Sequence, residues 1–598
     1  MRFHRSALSV LLALSLFTTL SCQRTTPSDG STPLHKLFEQ EWEFRLAENP
    51  LFATSVGRME GNDRLPAFDL QSAKRSYDFY KTLLADLDKI DAGSLNPTDR
   101  ISYDVFRVEV QHNVDSYETG AYLMPVNADS AFHIYFARLA DDVPMQNTQD
   151  YENYIARMRA WPKAVEGQIE LLREGLRQGY TPPAATMRGF EETIAAHIVK
   201  SPNESAFYAP FESFPTGVPE ADRSRLRGEG ERAIAEAIIP GYRSLLAFFA
   251  DDYLPGCRQT VGAYDLPNGK DFYAREVRYF TTLPTPPEEI HEIGLREVAR
   301  IRAEMETVMR KTGFNGTFAE FLQFLRTDKR FYARTPEELL QRAAWIAKRM
   351  DGQLPAFFGR LPRQPYTVEP VPAAIAPKYT AGRYVQAPFE GTKPGIYWVN
   401  TYALDTRPLY TQEALTLHEA VPGHHLQIAL AAELGDLPPF RRFGYFSAFG
   451  EGWGLYAEHL GTEAGFYKDP YSDFGRLTYE MWRACRLVVD TGVHAKGWSR
   501  QQVIDFLAQN TALSLHECTT ETDRYISWPG QALAYKMGEL TIRDLRASAE
   551  KELGSNFDIR AFHDAILENG SVPLTTLRGV VDEFIKKQKA AANRTAVP

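Results

Sequence analysis

The residues best suited to chemistry are His418 and Glu419, which open the run His418-Glu419-Ala420-Val421-Pro422-Gly423-His424-His425. A His-Glu pair followed by a histidine four positions on puts two imidazoles over one metal ion, with the glutamate placed to activate its water. Here the fourth position after His418 is Pro422. In a regular helix His424 would fall about 240° around the axis from His418, and His425 about 10.5 Å further along it. Each imidazole nitrogen must sit about 2.0–2.1 Å from a zinc ion, so an unbroken helix brings neither into place. Pro422 cannot donate to the carbonyl of His418, and Gly423 tolerates unusual dihedrals. The pair lets two residues bulge out, which makes His424 the equivalent of the fourth position; His425 is the alternative.

A third ligand is expected downstream, in Phe449-Gly450-Glu451-Gly452-Trp453-Gly454-Leu455-Tyr456-Ala457-Glu458. Glu451 stands between glycines that leave room for another element to approach. Two histidines and a carboxylate leave a fourth position for water, as catalytic zinc requires, so the expected cofactor is Zn2+.

These residues must be held by helices. Ala414–Leu417 leads into the motif and Leu426–Leu430 leads out, both in helical pattern. From about 34 to 200 apolar residues recur at three and four positions, as in Tyr154, Met158, Trp161, Ile169, Leu172 and Leu176. Residues 201–229, rich in Ser, Pro, Gly and charge, are expected to be a long exposed loop. Pro286-Pro287-Glu288-Glu289 suits the start of an amphipathic helix running to about Lys311. Seven prolines in residues 362–394 break the helical habit, and Gly395–Asn400 is the best strand candidate. The fold class expected is mostly α: a large helical protein with a deep cleft and a small β element beside the metal site. That strand could pair with an extended peptide through its backbone.

Net charge is −10, with 44 % hydrophobic and 24 % charged residues. This globular composition carries no basic surface for nucleic acid. A basic start, an apolar run and Ser21 before Cys22 make residues 1–21 an export signal, with lipid attached at Cys22 or ordinary cleavage as the alternative. No later apolar stretch is expected to cross a membrane. Residues 22–33 read as a tether, 34–585 as the folded part (about 34–270, then the metal-site part about 271–585), and 586–598 as a tail. The location expected is the periplasm, free or attached to the outer membrane. Cys257, Cys485 and Cys518 are expected to be buried thiols.

His418–Gln427 and Glu451-Gly452-Trp453 resemble signatures of the DUF885 family, proteins expected to be zinc metallopeptidases distantly similar to angiotensin-converting enzyme and the M32 carboxypeptidases. The resemblance covers about 34–585 and includes Gly179-Tyr180-Thr181-Pro182-Pro183, Gly395–Asn400 and Trp528–Lys536. It implies His418, His424 and Glu451 as metal ligands and Glu419 as general base. It also implies Tyr535 as donor to the tetrahedral oxyanion with Tyr525 as its helper, against the alternative that these two are packing residues. The family run Asp490-Thr491-Gly492-Val493-His494 either orients substrate or closes a helix with Gly492 as its cap. His291, His459 and His563 read as ordinary helix residues.

The function expected is an exported zinc-dependent peptidase acting on short peptides near the C-terminus, with Arg486, Arg524 or Lys536 holding the free carboxylate. The alternatives are a metal-dependent hydrolase of esters or non-peptide amides, and an inactive metal-bound binding protein of the envelope.

Overall fold

The computed structural model describes residues 31–595 apart from 129, 374, 388–392 and 436. The export signal, Cys22 and most of the tether lie outside these residues.

Helices dominate the chain, as expected, and there is a single three-stranded sheet among the described residues. The first helix, Ser31–Glu48, takes in residues 31–33 of the expected tether. The last, Leu574–Thr595, runs through most of the expected tail. Both ends join one apolar core: Leu34, Phe38 and Phe106 pack with Phe449, Trp453, Leu577 and Val581.

The apolar stripe read in the first half lies on a helix spanning Thr148–Gln178. Asn147 caps it by accepting from the amide of Asp150, and Gly179 ends it in the left-handed region at φ 82°. Its stripe of Tyr154, Met158, Trp161 and Leu172 packs on Ile234, Ile238, Tyr242 and Leu245. Those partners belong to a helical run, Glu220–Gly256, that is long and apolar enough to cross a membrane by composition alone. The expectation of no such stretch is therefore corrected, but the apolar face of this run is spent on the protein's own core. The expected loop at 201–229 is also partly wrong, since a helix spans Glu220–Ala233. Alternating Glu and Arg there look disordered in a one-dimensional reading, yet Leu226, Gly230 and Ala233 make a buried seam.

The elements around the motif follow in chain order. Helix α1, Pro287–Lys311, carries Glu288 and Glu289 in its first turn and Arg310 and Lys311 in its last, both favourable to the helix dipole. Strands β1 (Tyr366–Pro370), β2 (Gly382–Val385) and β3 (Gly395–Val399) form the sheet. Then come α2 (Gln412–Glu419), α3 (His424–Ala432), α4 (Pro439–Phe443) and α5 (Ser447–Glu463). Helices α6 (Pro470–Ala495), α7 (Leu515–Ser527) and α8 (Ala534–Leu553) complete the surroundings.

The sheet order is β1-β3-β2, with β1 parallel and β2 antiparallel to β3. The predicted strand is therefore real but central. Both of its edges are already paired, so the peptide-pairing role expected of Gly395–Asn400 is overturned, and the outer strand nearest the motif is β2, whose Tyr384 amide donates to Glu419.

Helix α6 is buried along almost its whole length. Arg476, Glu480, Arg483, Arg486, Asp490 and His494 still recur on it at three- and four-residue spacing. Buried charge is tolerated only when paired, and each charged group meets a partner. Glu480 meets Lys536, Arg483 meets Glu458 and Arg486 meets Glu521. Cys257, Cys485 and Cys518 are buried free thiols, as expected.

Candidate metal centre

Helix α2 stops at Glu419 and α3 restarts at His424. Between them Ala420 leaves helical geometry at ψ −108°, the Val421–Pro422 peptide is cis, and Gly423 sits at ψ −129°. The amide of His425 donates to the carbonyl of Ala420, five residues back instead of four. A Cβ on Gly423 would come within 1.9 Å of the His418 carbonyl, so only glycine permits this fold-back. The indole of Trp453 donates to the carbonyl of Pro422 at 2.8 Å and pins the loop.

The loop delivers His424, not His425, to His418. Their rings lie 4.7 Å apart at 90°. The Nε2 atoms of His418 and His424 each stand 3.4 Å from Oε2 of Glu451. Among the described residues these three offer ligand atoms that all lie within 4.8 Å of one another. Ligand bonds of 2.0–2.1 Å in a tetrahedral site put neighbouring ligand atoms about 3.3 Å apart, so the set fits a zinc-sized ion. His425 turns away: its Nδ1 meets the hydroxyl of Tyr384 at 3.1 Å, and burial pushes it down to about 4.

Glu451 reaches the group because α5 approaches its neighbours closely. A Cβ on Gly452 would meet the backbone of Gly538 on α8 at 2.6 Å, and one on Gly454 would meet the His418 ring at 2.7 Å. The glycines around Glu451 thus leave room for close approach, as the sequence reading expected.

Glu458 also reaches the group, and sequence reasoning assigned it no role. Its Oε1 accepts from His418 Nδ1 at 2.8 Å, which leaves Nε2 to face Glu451. The signal was present, because Glu458 follows Glu451 by seven residues, two turns on one helix face. Burial alone would lower His418, but hydrogen bonds to Glu451 and Glu458 outweigh it and raise the imidazole to about 9. Burial would likewise raise Glu451, yet His424 and His418 hold it well below the usual carboxylate range.

Glu419 is half-buried, and its Oε2 accepts from the backbone amide of Tyr384 on β2 at 2.8 Å. Tyr445 is a second group the sequence reading missed. Its ring edge is exposed, while its hydroxyl lies against Gly450 and faces Glu451. Nothing in the local pattern marks it, because it is not on a helix and packs only through the tertiary fold.

Tyr535 is half-buried in the first turn of α8, with the Arg486 guanidinium 4.2 Å over its ring. Tyr525 is buried, and its hydroxyl accepts from Trp482 Nε1 at 2.7 Å and Arg486 Nε at 2.9 Å. Arg486 joins it to Tyr535, since the same guanidinium lies over the Tyr535 ring.

The three cations proposed for a substrate carboxylate are engaged within the chain. Lys536 has no exposed surface and bonds Glu480 and Glu539 at 2.9 Å each. Arg524 pairs with Glu521 at 2.9 Å and Arg486 with Glu521 at 3.0 Å. Asp490 accepts from the Tyr273 hydroxyl at 2.6 Å and from the Gly530 amide at 3.1 Å, and His494 meets the carbonyl of Tyr525 at 2.9 Å. That run braces the turn before Tyr535. It does not cap α6, which continues past Gly492 to Ala495. His291 bonds Thr491, and His563 bonds Tyr456 and the carbonyl of Phe357; both are packing residues.

Comparisons with known proteins place this architecture. The fold matches the crystal structure of a candidate lipoprotein from Colwellia psychrerythraea, with 28% identity and a TM-score of 0.87 over 93% of this chain and 100% of that one. It also matches a candidate lipoprotein of unknown function from Shewanella oneidensis, with 16% identity and a TM-score of 0.71 over 92% of this chain and 99% of that one. No curated protein matches. The family described as "Bacterial protein of unknown function (DUF885)" matches residues 50–581, and the chain belongs to that family.

Proposed function

We propose that this protein is an exported zinc-dependent peptidase that hydrolyses short peptides. The observation that carries the reading is the convergence of His418, His424 and Glu451 within 4.8 Å, beside a carboxylate, Glu419, that is not one of the three. Two imidazoles and one carboxylate are a donor set suited to catalytic zinc, with His418 oriented by Glu458.

When bound there, zinc would polarise the scissile carbonyl and acidify the attacking water. Glu419 takes a proton from that water as its oxygen bonds to the carbonyl carbon. The same proton passes from Glu419 to the leaving amine as the C–N bond breaks, so the carboxylate is regenerated. The amide of Tyr384 fixes the Glu419 carboxylate, so its proton-accepting geometry is preset. Tyr535 donates its hydroxyl to the oxyanion, with Arg486 stacked on its ring to hold it. The outer edge of β2, apart from the Tyr384 amide that Glu419 takes, offers backbone groups to an extended peptide.

Export and lipid attachment rest on the residues around Cys22 and on the likeness to two candidate lipoproteins. The test is metal analysis of purified mature protein, together with digestion of a mixed peptide library read by mass spectrometry. About one zinc per chain, and cleavage abolished by a chelator, are the results expected. Protein without zinc, or a library left intact by zinc-loaded protein, overturns the reading.

A further inference from the structure

Arg486, Arg524 and Lys536 are each paired with a carboxylate inside the chain, and two further cations lie elsewhere. A cavity of about 440 Å³ is lined in part by α3 and α5, the helices that carry His424 and Glu451. Its wall includes Gln427, one turn beyond His424 on α3, and Tyr445, whose hydroxyl lies against Gly450 and faces Glu451. Much of the rest is apolar, with Ile428 and Phe443 among the lining residues. Two adjacent arginines of α4, Arg441 and Arg442, also line it.

Neither arginine has a carboxylate partner among the described residues. Arg441 is only 3 % exposed and bonds neutral acceptors, the hydroxyl of Ser102 at 3.2 Å and the carbonyl of Asn569 at 2.5 Å. Burial lowers it to about 10, with no neighbouring carboxylate to offset that. Arg442 makes no hydrogen bond or ion pair among the described residues, and its guanidinium stands 5.6 Å over the Phe443 ring. The Nε atoms of both, and Oε1 of Gln427, are buried without a hydrogen-bond partner. Two guanidinium donors left unpaired beside one cavity are costly, and an acceptor such as a carboxylate is what they lack.

We infer that this cavity is a carboxylate-binding subsite of the metal centre, with Arg442 as its contact cation and Arg441 behind it. Its ligand is a carboxylate on an apolar body: the C-terminal residue of a peptide, or an acidic side chain. A guanidinium matches a carboxylate bidentately, and apolar walls strengthen the pairing by excluding water. The inference builds on the peptidase reading, because it supplies the selectivity of that site for peptide ends or acidic residues.

Binding without turnover tests it. N-acetylphenylalanine, its amide, and N-acetylglutamic acid α-amide are titrated calorimetrically into mature wild-type protein, Arg442→Ala and Arg442→Lys. At least one carboxylate ligand is expected to bind at least about tenfold more tightly than the neutral amide, the scale of a charge-assisted pair. The advantage should vanish in Arg442→Ala and partly return in Arg442→Lys. The acid that wins identifies the source, α-carboxylate or side chain. Arg442 has no ion-pair partner among the described residues and only the Phe443 ring beneath it, so the alanine variant should fold and melt close to wild type. Equal binding of acids and amide, no binding at all, or an advantage that survives Arg442→Ala overturns the subsite. Missing zinc or missing hydrolysis would overturn the peptidase reading instead and leave this binding result standing.

Discussion

Nδ1 of His418 lies 2.8 Å from Oε1 of Glu458, on the side of the ring opposite the one that faces Glu451. The carboxylate fixes ring orientation and proton position together, leaving Nε2 free to bind a metal. Glu458→Gln keeps the shape but loses the charge, so zinc affinity should fall by about 10–100-fold. Competition with a chromogenic chelator measures this. Unchanged affinity would show that Glu458 serves only packing and its ion pair with Arg483.

The loop between α2 and α3 separates the adjacent histidines. His424→Ala should leave purified protein nearly free of zinc, whereas His425→Ala should keep most of it, since His425 bonds Tyr384 instead. Metal content by mass spectrometry decides, and the opposite order would move the ligand to His425.

Glu419→Gln should fold and bind zinc as wild type does while losing at least about a hundredfold in turnover, because it removes the proton carrier. Wild-type rates in that variant would refute the general-base assignment.

The two tyrosines should separate kinetically. Tyr535→Phe is expected to lower kcat by about 10²–10³ with little change in KM, the signature of a donor felt in the transition state. Tyr525→Phe removes the acceptor shared by Trp482 and Arg486, so it should lower thermal stability as well as rate. A Tyr535→Phe variant with unchanged kcat would return that residue to packing.

Asp490 provides a pH test. Burial raises it to about 7, only partly offset by hydrogen bonds from Tyr273 and the Gly530 amide. An acid raised in the folded state favours folding in its protonated form. That contribution is complete below the unfolded value of about 3.9 and is lost as pH rises through about 7. Asp490→Asn should therefore gain in melting temperature relative to wild type between pH 5 and pH 8. A difference between the two proteins that does not change with pH would mean that Asp490 does not titrate with folding in that range.

Much of this protein was legible in one dimension because helical periodicity, caps and motif spacing are local properties. The stripe on Thr148–Gln178, the dipole-matched ends of α1, strand β3 and the need for a bulge at Pro422-Gly423 all follow from steric and hydrogen-bonding rules within a few residues. So does the choice of His424 over His425, because a two-residue bulge restores the turn count. Local pattern failed where burial decides. The polar appearance of 220–229 hid a helix, and the apolar run to Gly256 found its partner in the core.

The three cations Arg486, Arg524 and Lys536 looked available because a sequence shows charge but not its pairing. Glu521 beside Arg524 and Glu539 beside Lys536 are three-residue spacings, each within one helix, but only the folded chain brings Glu480 to Lys536 and Glu521 to Arg486. Likewise β3 became central because β1 and β2 close on both its edges, a pairing no single strand encodes. Glu458 and Arg441 owe their places to contacts across long stretches of chain, with His418 and with Ser102 and Asn569. The ligand types, and the break that admits them, are thus local consequences of residue chemistry. What surrounds them is tertiary, because the surroundings of a buried charge are set by whichever distant element packs against it.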